Sequence, residues 1–399
     1  MPWKETSPMK ERLRFVVLAL EKNTPISTLC KLFGISRETG YKWLNRYEVQ
    51  GFSGLEDLSR KPLGNKRAIE TNLIDAIISI RSKHPLWGPK KLAVLLKEQL
   101  PNERIPVAST IGEILERHGL IKKRSRQRRR FGTTEKPNIA AEASNDVWCT
   151  DFKGHFLVGD GQRCHPLTIT DAFSRYLISC ESLTAESGLF VKEKYEEAFQ
   201  QYGLPRFILS DNGTPFSSRA PGGISRLSAW WLKLGITPIH IQPGHPEQNG
   251  SHERMHRTLK AATAYPAEKT LIDQQKAFEA FKEEFNQIRP HEALGQKRPA
   301  ELYSPSIRHF PKELPTPVYP AHFETRQVKP NGEIKWKGNK VYLSESLTKE
   351  PIGLEEIGED TMLIYFCHLP IALLNEHKGK ITPLPSPLKK TRLSTMSPV

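Results

Sequence analysis

Apolar residues in the first fifty positions recur with helical spacing. Residues 9–50 read as helix throughout, with one break at Gly34-Ile35-Ser36 between the apolar ISTLCKLF and the basic RETGYKWLNRYEVQ. A helix-turn-helix unit has this form. Ser36 suits an N-cap, after which Gly40, Trp43, Leu44 and Tyr47 fall at i, i+3, i+4 and i+7 and turn one stripe inward. Arg37, Lys42 and Arg46 are left facing outward, which on an isolated helix would mean only a solvated face. The turn before them favours DNA contact, so residues 1–60 are assigned to a helix-turn-helix DNA-binding domain. A Pro/Gly-bearing basic stretch, SRKPLGNKR, then reads as a linker. Residues 65–121 form a second helical, helix-turn-helix-like domain. In it Ile69, Leu73, Ile77 and Ile80 keep helical period, Gly88-Pro89 opens KKLAVLLKEQL, and VASTIGEILERHG ends at Gly119 as a C-terminal cap. Such a trihelical module can bind DNA or serve as a dimerisation or spacer element.

From residue 141 to 305 the period switches. NDVWCTDFKGHFLV, HPLTITDAFS and YLISCES are β-rich, and LFVKEKYEEAFQQYG is a helix with a terminal glycine. Strand PRFILSDNG, helix SAWWLKLG, strand TPIHIQ and a helix from near Gln248 follow. Three adjacent strands and then alternating helices and strands predict an α/β fold, a mixed sheet covered on both faces. Residues 317–380 carry short strands separated by turns and predict a small β-rich domain, a barrel or sandwich. The Pro/Ser-rich basic tail at 381–399 is expected to be disordered.

Charge narrows the partners. Lys and Arg number 59 against 44 Asp and Glu, a net charge of +15 with a pI near 9.5, which favours a polyanion. The cations are spread over several segments and form no single basic amphipathic helix, so nucleic acid is preferred to a membrane surface. No apolar run approaches the roughly 20 residues of a membrane span. The amino terminus lacks a signal-peptide stretch, and a cytoplasmic, nucleoid-associated location is expected. Between the helical modules and the mixed sheet, residues 122–140 form a basic linker. Its Lys122, Lys123, Arg124, Arg126, Arg128, Arg129 and Arg130 come with no acid among them. Each cation beside a duplex can release a condensed counterion, so this arm should give salt-dependent, sequence-blind affinity; a nuclear-localisation signal is the formal alternative. The five cysteines are scattered without a C-x-x-C pair, which predicts reduced core thiols and no structural zinc.

Three acids stand out against this background. Asp151 interrupts the strand-like WCTDFKG, where an uncompensated buried carboxylate would be costly and a metal would remove the cost. Asp211 follows the apolar Phe207-Ile208-Leu209 at a strand's carboxyl end, although Asp before Asn-Gly is also ordinary Asx-turn chemistry. In PGHPEQNGSHERMHRTLK, Glu253, His256, Arg257 and Lys260 recur at i, i+3, i+4 and i+7. A carboxylate there would sit beside cations able to touch DNA phosphates, and the bland reading is a surface ion pair. Carboxylates on rigid supports are the donors that two-metal phosphoryl transfer needs. His245, His252 and His256 are read as phosphate or DNA contacts.

Taken together, WCTDFKG, TDAFSRY, SDNGTPF, PGHPEQNGSHERMHRTLK and NQIRPHEALGQKRPAELY resemble the integrase-type catalytic core of bacterial insertion-sequence transposases and retroviral integrases, the DDE superfamily. The resemblance implies an RNase H-like fold, with the first Asp on the first strand, the second after the fourth, and the Glu on a following helix. It further implies Asp151, Asp211 and Glu253 as catalytic metal ligands, two Mg²⁺ ions that Mn²⁺ can replace, and double-stranded DNA as partner. Pairing two element ends implies a homodimer or higher homo-oligomer. Glu247 lies 36 positions after Asp211, the superfamily's nominal spacing, and Glu253 lies 42 after it. Alignment to the Pro-x-x-x-Gly turn selects Glu253, which starts the helix running to Leu259-Lys260. Asp171 is implied to be structural, beside Arg175. The function implied is Mg-dependent 3′-end cleavage and strand transfer of a mobile DNA element. A stand-alone nuclease and a catalytically silent DNA-binding regulator are the competing readings.

Overall fold

The computed structural model describes residues 7–58, 69–121, 141–152, 154–241 and 249–384, which form two compact units divided between Glu70 and Thr71. The first unit holds α1 (Pro8–Leu20), α2 (Ile26–Leu32) and α3 (Arg37–Gln50), closed by a 3-10 turn at Gly51–Leu55. Continuous helix up to Gly34 is not what forms. Lys22 takes a positive φ of 56° and Pro25, extended at ψ 137°, stands before a fresh start at Ile26, since proline cannot donate to a preceding turn. Ser36 caps α3 as expected, accepting from Thr39 N–H at 3.1 Å. Phe15, Val16, Leu29, Cys30, Trp43, Leu44 and Leu55 make the core. Gly40 leaves room on α3 for side chains of α1 and α2. A Cβ there would lie 2.7 Å from Cys30 Sγ and 2.9 Å from Phe15 Cζ.

The second unit begins with α4 (Thr71–Lys83), α5 (Pro89–Gln99) and α6 (Ala108–Arg117). Gly119, at φ 69°, ends α6 and donates its N–H to Glu116 O. A sheet follows, built from β1 (Val147–Phe152), β2 (Phe156–Leu157), β3 (Arg163–Asp171), β4 (Leu177–Leu183), β5 (Phe207–Ser210) and β6 (Thr237–His240). Strands β4, β3 and β1 pair antiparallel, β1, β5 and β6 pair parallel, and short β2 pairs with the first two residues of β3. The mixed sheet read from the sequence is therefore the architecture present. One face is covered by α7 (Gly188–Tyr202) and α8 (Arg226–Lys233), which pack on Trp148, Ile169, Ile178 and Ile208. Against the other face lie α9 (Gly250–Thr263) and α10 (Leu271–Glu283), through Met255, Leu259, Phe278 and Phe281. A π turn at Glu284–Ile288 and the short α11 (Pro299–Leu302) complete this part.

Beyond it lie β7 (Glu324–Gln327), β8 (Glu333–Trp336), β9 (Asn339–Tyr342), β10 (Pro351–Gly358), β11 (Thr361–Phe366), β12 (Leu369–Asn375) and β13 (Lys380–Pro383). They make an antiparallel sheet in the order β13-β12-β11-β10-β7 and a β8-β9 hairpin. Two sequence boundaries shift here. Lys380–Pro383 is paired strand, not the start of a disordered tail, because Ile381 sits opposite Leu374 and packs on the same core; residues 385–399 lie outside the described residues. Nor is the β-rich region a separate body. Helix α8 is buried from two sides, Trp230 and Trp231 toward the mixed sheet and Ala229 and Leu232 toward Trp336, Ile364 and Phe366. Lys233 Nζ joins Glu350 across the same junction at 2.9 Å.

A carboxylate pair and its surroundings

Side chains alternate along a strand, so β1 presents Val147, Cys149 and Asp151 to one face and Trp148, Thr150 and Phe152 to the other. Val147 and Cys149 cluster with Leu209 and Ile239. Cys149 pairs with Leu209 in the parallel β1–β5 register. Asp151 lies near the carboxyl end of β1 and Asp211 directly follows the carboxyl end of β5, two strands that pair parallel at a spacing of about 4.8 Å. Strand ends of this kind are where open α/β sheets place ligands. The turn reading of Asp211 is realised as well, because Gly213 N–H donates to its Oδ1 at 3.1 Å. Burial raises the Asp211 pKa and nearby Glu186 raises it further, while the Gly213 N–H acts in the opposite direction. A neighbouring cation would relieve both effects.

Helix α9 packs against β1 and brings two buried histidines to Asp151, each 1% exposed. His256 Nδ1 lies 3.6 Å from Asp151 Oδ2, and its Nε2 lies 2.5 Å from Thr168 Oγ1. His252 spans Thr168 Oγ1 at 2.7 Å and Thr170 Oγ1 at 2.8 Å. Thr168 is itself the register partner of Asp151 and donates to the Asp151 carbonyl at 3.2 Å. The second aspartate has a histidine too: His240 Nδ1 is 3.2 Å from the Asp211 carbonyl and 3.1 Å from Ser210 Oγ.

The reading of His252 and His256 as DNA contacts is thereby overturned. The buried stripe of α9 is His252, Met255, His256, Leu259 and Thr263, and threonine hydroxyls satisfy the two imidazoles inside it. Glu253, Arg257 and Lys260 remain exposed on the other side of α9, with Lys260 Nζ 5.4 Å over the Tyr265 ring. Glu247 and His245 lie outside the described residues. Among the described residues no three His, Cys, Asp or Glu side chains group as a metal site. Hard carboxylates at the ends of two paired strands nonetheless suit Mg²⁺, which is commonly held by one or two carboxylates with water completing its shell.

Asp171 is not part of the pair. Fully buried, it accepts from Asn145 N–H at 2.8 Å, Ser174 N–H at 2.8 Å and Ser174 Oγ at 2.6 Å, a clamp on the β3–β4 turn. All five cysteines are free thiols and four are buried; burial pushes Cys149 and Cys164 up to about 12, which leaves them unreactive. Of the helix-turn-helix cations, Arg37 and Lys42 are exposed. Arg46 instead donates to Glu56 O at 2.7 Å and stacks 4.7 Å from the Trp43 ring, opposed by Arg12 at 4.0 Å. The arm from Lys122 to Arg130, with Lys123, Arg124, Arg126, Arg128 and Arg129, lies outside the described residues. No helix among the described residues is long and apolar enough to cross a membrane.

Sequence reasoning missed the threonine–histidine network, although its signal was present: His252 and His256 are spaced i, i+4, and Thr168 and Thr170 alternate on one strand face. Helix α10 was also missed, despite Phe278, Phe281 and Phe285 at i, i+3 and i+7.

Residues 141–246 and 234–299 match family models described as integrase core domain, residues 11–62 a helix-turn-helix domain, and residues 39–115 a homeodomain-like domain. Matches to helix-turn-helix models thus precede matches to integrase core models along the chain. Similar proteins include products of bacterial insertion elements, among them a transposase. An uncharacterised 39.2 kDa protein of insertion element IS476 from Xanthomonas euvesicatoria is 26% identical over 295 residues, covering 73% of this chain and 77% of the relative. The IS407 protein of Burkholderia multivorans is 29% identical over 45% of this chain and 63% of its own length. Transposase InsD of the Escherichia coli IS2 element is 24% identical over 60% of this chain and 81% of its own. Among solved structures, the HTLV-2 integrase catalytic core domain in complex with magnesium aligns at 17% identity, covering 41% of this chain and 100% of that one, with a TM-score of 0.33. A simian T-cell lymphotropic virus intasome chain aligns at 18% over 72% of this chain and 91% of its own, with a TM-score of 0.36.

Proposed function

We propose that this protein is a transposase that binds the ends of a mobile DNA element and carries out Mg-dependent 3′-end cleavage and strand transfer. The observation that carries this reading is the placement of Asp151 on β1 and Asp211 directly after β5, two strands that pair parallel, with α9 packed against β1. Asp151 and Asp211 would hold the metal as hard oxygen ligands, with Glu253, on the first turn of α9, as the third. Divalent cations held there, two per site, would activate water and stabilise the leaving oxygen of a phosphodiester. His256 and Thr168 fix the Asp151 side chain and backbone, so that the carboxylate does not reorganise when DNA arrives. Arg257 and Lys260, exposed on the helix that carries Glu253, draw in backbone phosphates. Arg37 and Lys42 on α3 read the element end, and the basic arm at 122–130 adds sequence-blind affinity. Two ends held for joining require at least a homodimer.

The test is nicking and strand transfer on labelled duplexes carrying the element's ends, with Mg²⁺ or Mn²⁺. Wild type should release a 3′-hydroxyl and join it to target DNA. Asp151→Asn, Asp211→Asn and Glu253→Gln should each lose at least about 10²-fold, the scale on which removing one catalytic electrostatic partner acts. Full activity in Glu253→Gln with loss in Glu247→Gln would move the third ligand to Glu247. Binding without cleavage by wild type would favour a silent regulator.

A further inference from the structure

The motif NQIRPHEALG takes no part in the carboxylate pair. Arg289 follows the π turn and donates its backbone N–H to Glu284 O. Its guanidinium leans over the Phe285 ring at 5.7 Å and its Nη2 is 3.5 Å from Thr258 Oγ1 on α9. The Arg289 Nε is buried and has no hydrogen-bond partner among the described residues. Lys91, at the start of α5, donates its Nζ to Pro290 O, which ties the helical module to this turn. His291 Nε2 is 3.2 Å from Phe285 O. Arg175, held at a φ of 64° in the β3–β4 turn, stands two residues before Leu177, whose N–H donates to Asn286 Oδ1 at 2.8 Å, and Arg254 lies one turn before Thr258 on α9, accepting from Thr258 Oγ1 through its carbonyl at 3.1 Å.

These groups oppose one another. Burial first, then Lys91, Arg289 and Arg175, hold the His291 pKa down at about 4. Burial and Arg289 bring Lys91 down to about 8. Glu292, Glu284 and Asp171 favour the charged forms of Lys91, Arg289 and Arg175, but their side chains bond Lys90, His84 at 3.1 Å, and Asn145 with Ser174. Half-buried cations whose nearest carboxylates bond other groups leave donors for a further anion.

We propose that Lys91, Arg175, Arg254 and Arg289 form a phosphate-binding site that grips a DNA backbone phosphate beside the catalytic face, and that the Arg289-Pro290-His291 motif is there to build it. The proposal rests on the DNA-processing reading above. The ligand chemistry is a phosphodiester oxyanion: guanidinium forks suit its paired oxygens, and the unpartnered Arg289 Nε is a donor already stripped of water. Because Lys91 comes from the helical module and Arg254 and Arg289 from the catalytic part, one phosphate would bridge the two. Neutral His291 buttresses the turn through Phe285 O and adds no charge of its own.

The test uses the full chain in EDTA, so that no cleavage occurs, and a fluorescein-labelled duplex of arbitrary sequence read by anisotropy across a salt series. Arg289→Ala, Lys91→Ala and Arg254→Ala should each weaken binding several-fold and flatten the plot of log K against log salt by about 0.9, the contribution of one phosphate contact. Arg289→Lys, which keeps the charge, should keep the slope, and Lys276→Ala on the outer side of α10 should match wild type. Wild-type slopes in all three alanine variants would overturn the proposal. If Arg289→Ala fails to fold, as thermal melting would reveal, Lys91→Ala and Arg254→Ala decide. Inorganic phosphate supplies the second arm: if it stabilises wild type over Lys91→Ala while the duplex slopes stay equal, the site holds a free anion and the DNA assignment falls. Altered slopes without cleavage in the nicking assay would count against the transposase reading alone, and cleavage with unaltered slopes against this site alone.

Discussion

Substituting Asp171 by asparagine separates a structural aspartate from the proposed ligands through the sign of a stability change. Both Asp171 oxygens are used, Oδ1 by Asn145 N–H and Oδ2 by Ser174 N–H and Oγ, and the residue is fully buried. An amide offers a single oxygen. Whichever way it turns, one buried backbone N–H faces another N–H, and an orphaned donor of that kind costs about 1–3 kcal/mol. Loss of the buried charge offsets part of this, since burial raises the Asp171 pKa despite its three donors. A net loss of about 1–2 kcal/mol lowers the melting temperature by roughly 2–8 °C in a domain of ordinary size. Asp211→Asn behaves differently. One amide oxygen can keep the Gly213 bond, and a desolvated charge beside Glu186 disappears, so the metal-free protein should melt with wild type or above it. Calorimetry on the three proteins in EDTA reads both signs. Asp171→Asn melting with wild type, or Asp211→Asn falling equally far, would refute the reasoning.

Gly40→Ala should lower the stability of the first unit by about 1–3 kcal/mol, against the usual gain of Ala in a helix, because the new methyl meets Cys30 and Phe15; urea unfolding of residues 1–70 checks it, and a stabilised variant would be the contrary result. With its folded pKa held near 4, His291 favours the neutral form, so its contribution is complete above about 6.5 and is lost as pH falls toward 4. His291→Asn should flatten that acid limb, by no more than about 3 kcal/mol in all. Asp211, whose pKa is raised, has the opposite sign. Metal-free stability should decline as pH rises through its ionisation, and the stabilisation given by Mg²⁺ should grow over the same interval; a pH-independent magnesium effect on melting would contradict this.

What the chain disclosed in advance divides along physical lines. Strand β5 was readable because Phe207-Ile208-Leu209 is a short apolar run ending in a turn, and Asp211 at its end needed only the general placement of ligands in α/β sheets. That the strand carrying Asp151 lies beside the strand leading to Asp211 depended on the β1–β5 pairing, which no local pattern contains. His256 was misread for a related reason. Polar residues at 253, 256, 257 and 260 look like one outward face, but the position of His256 one turn after His252 places it over Thr168, and only the sheet partner decides that a histidine can be buried. Arg46 looked free on a helical wheel, yet Trp43 and Glu56 hold it. Helix α8 shows how a domain boundary can mislead: SAWWLKL reads as an ordinary core helix, and its second apolar side, which docks the C-terminal sheet, becomes meaningful only once that sheet is present.

The central claim is that Asp151 and Asp211 jointly hold a divalent cation. Electron paramagnetic resonance titration of Mn²⁺ into full-length protein bound to duplex DNA measures this directly. Wild type should take up Mn²⁺ at sites that Asp151→Asn and Asp211→Asn each abolish while Asp171→Asn, where folded, retains them. Equal Mn²⁺ uptake by wild type and both single variants would contradict the account.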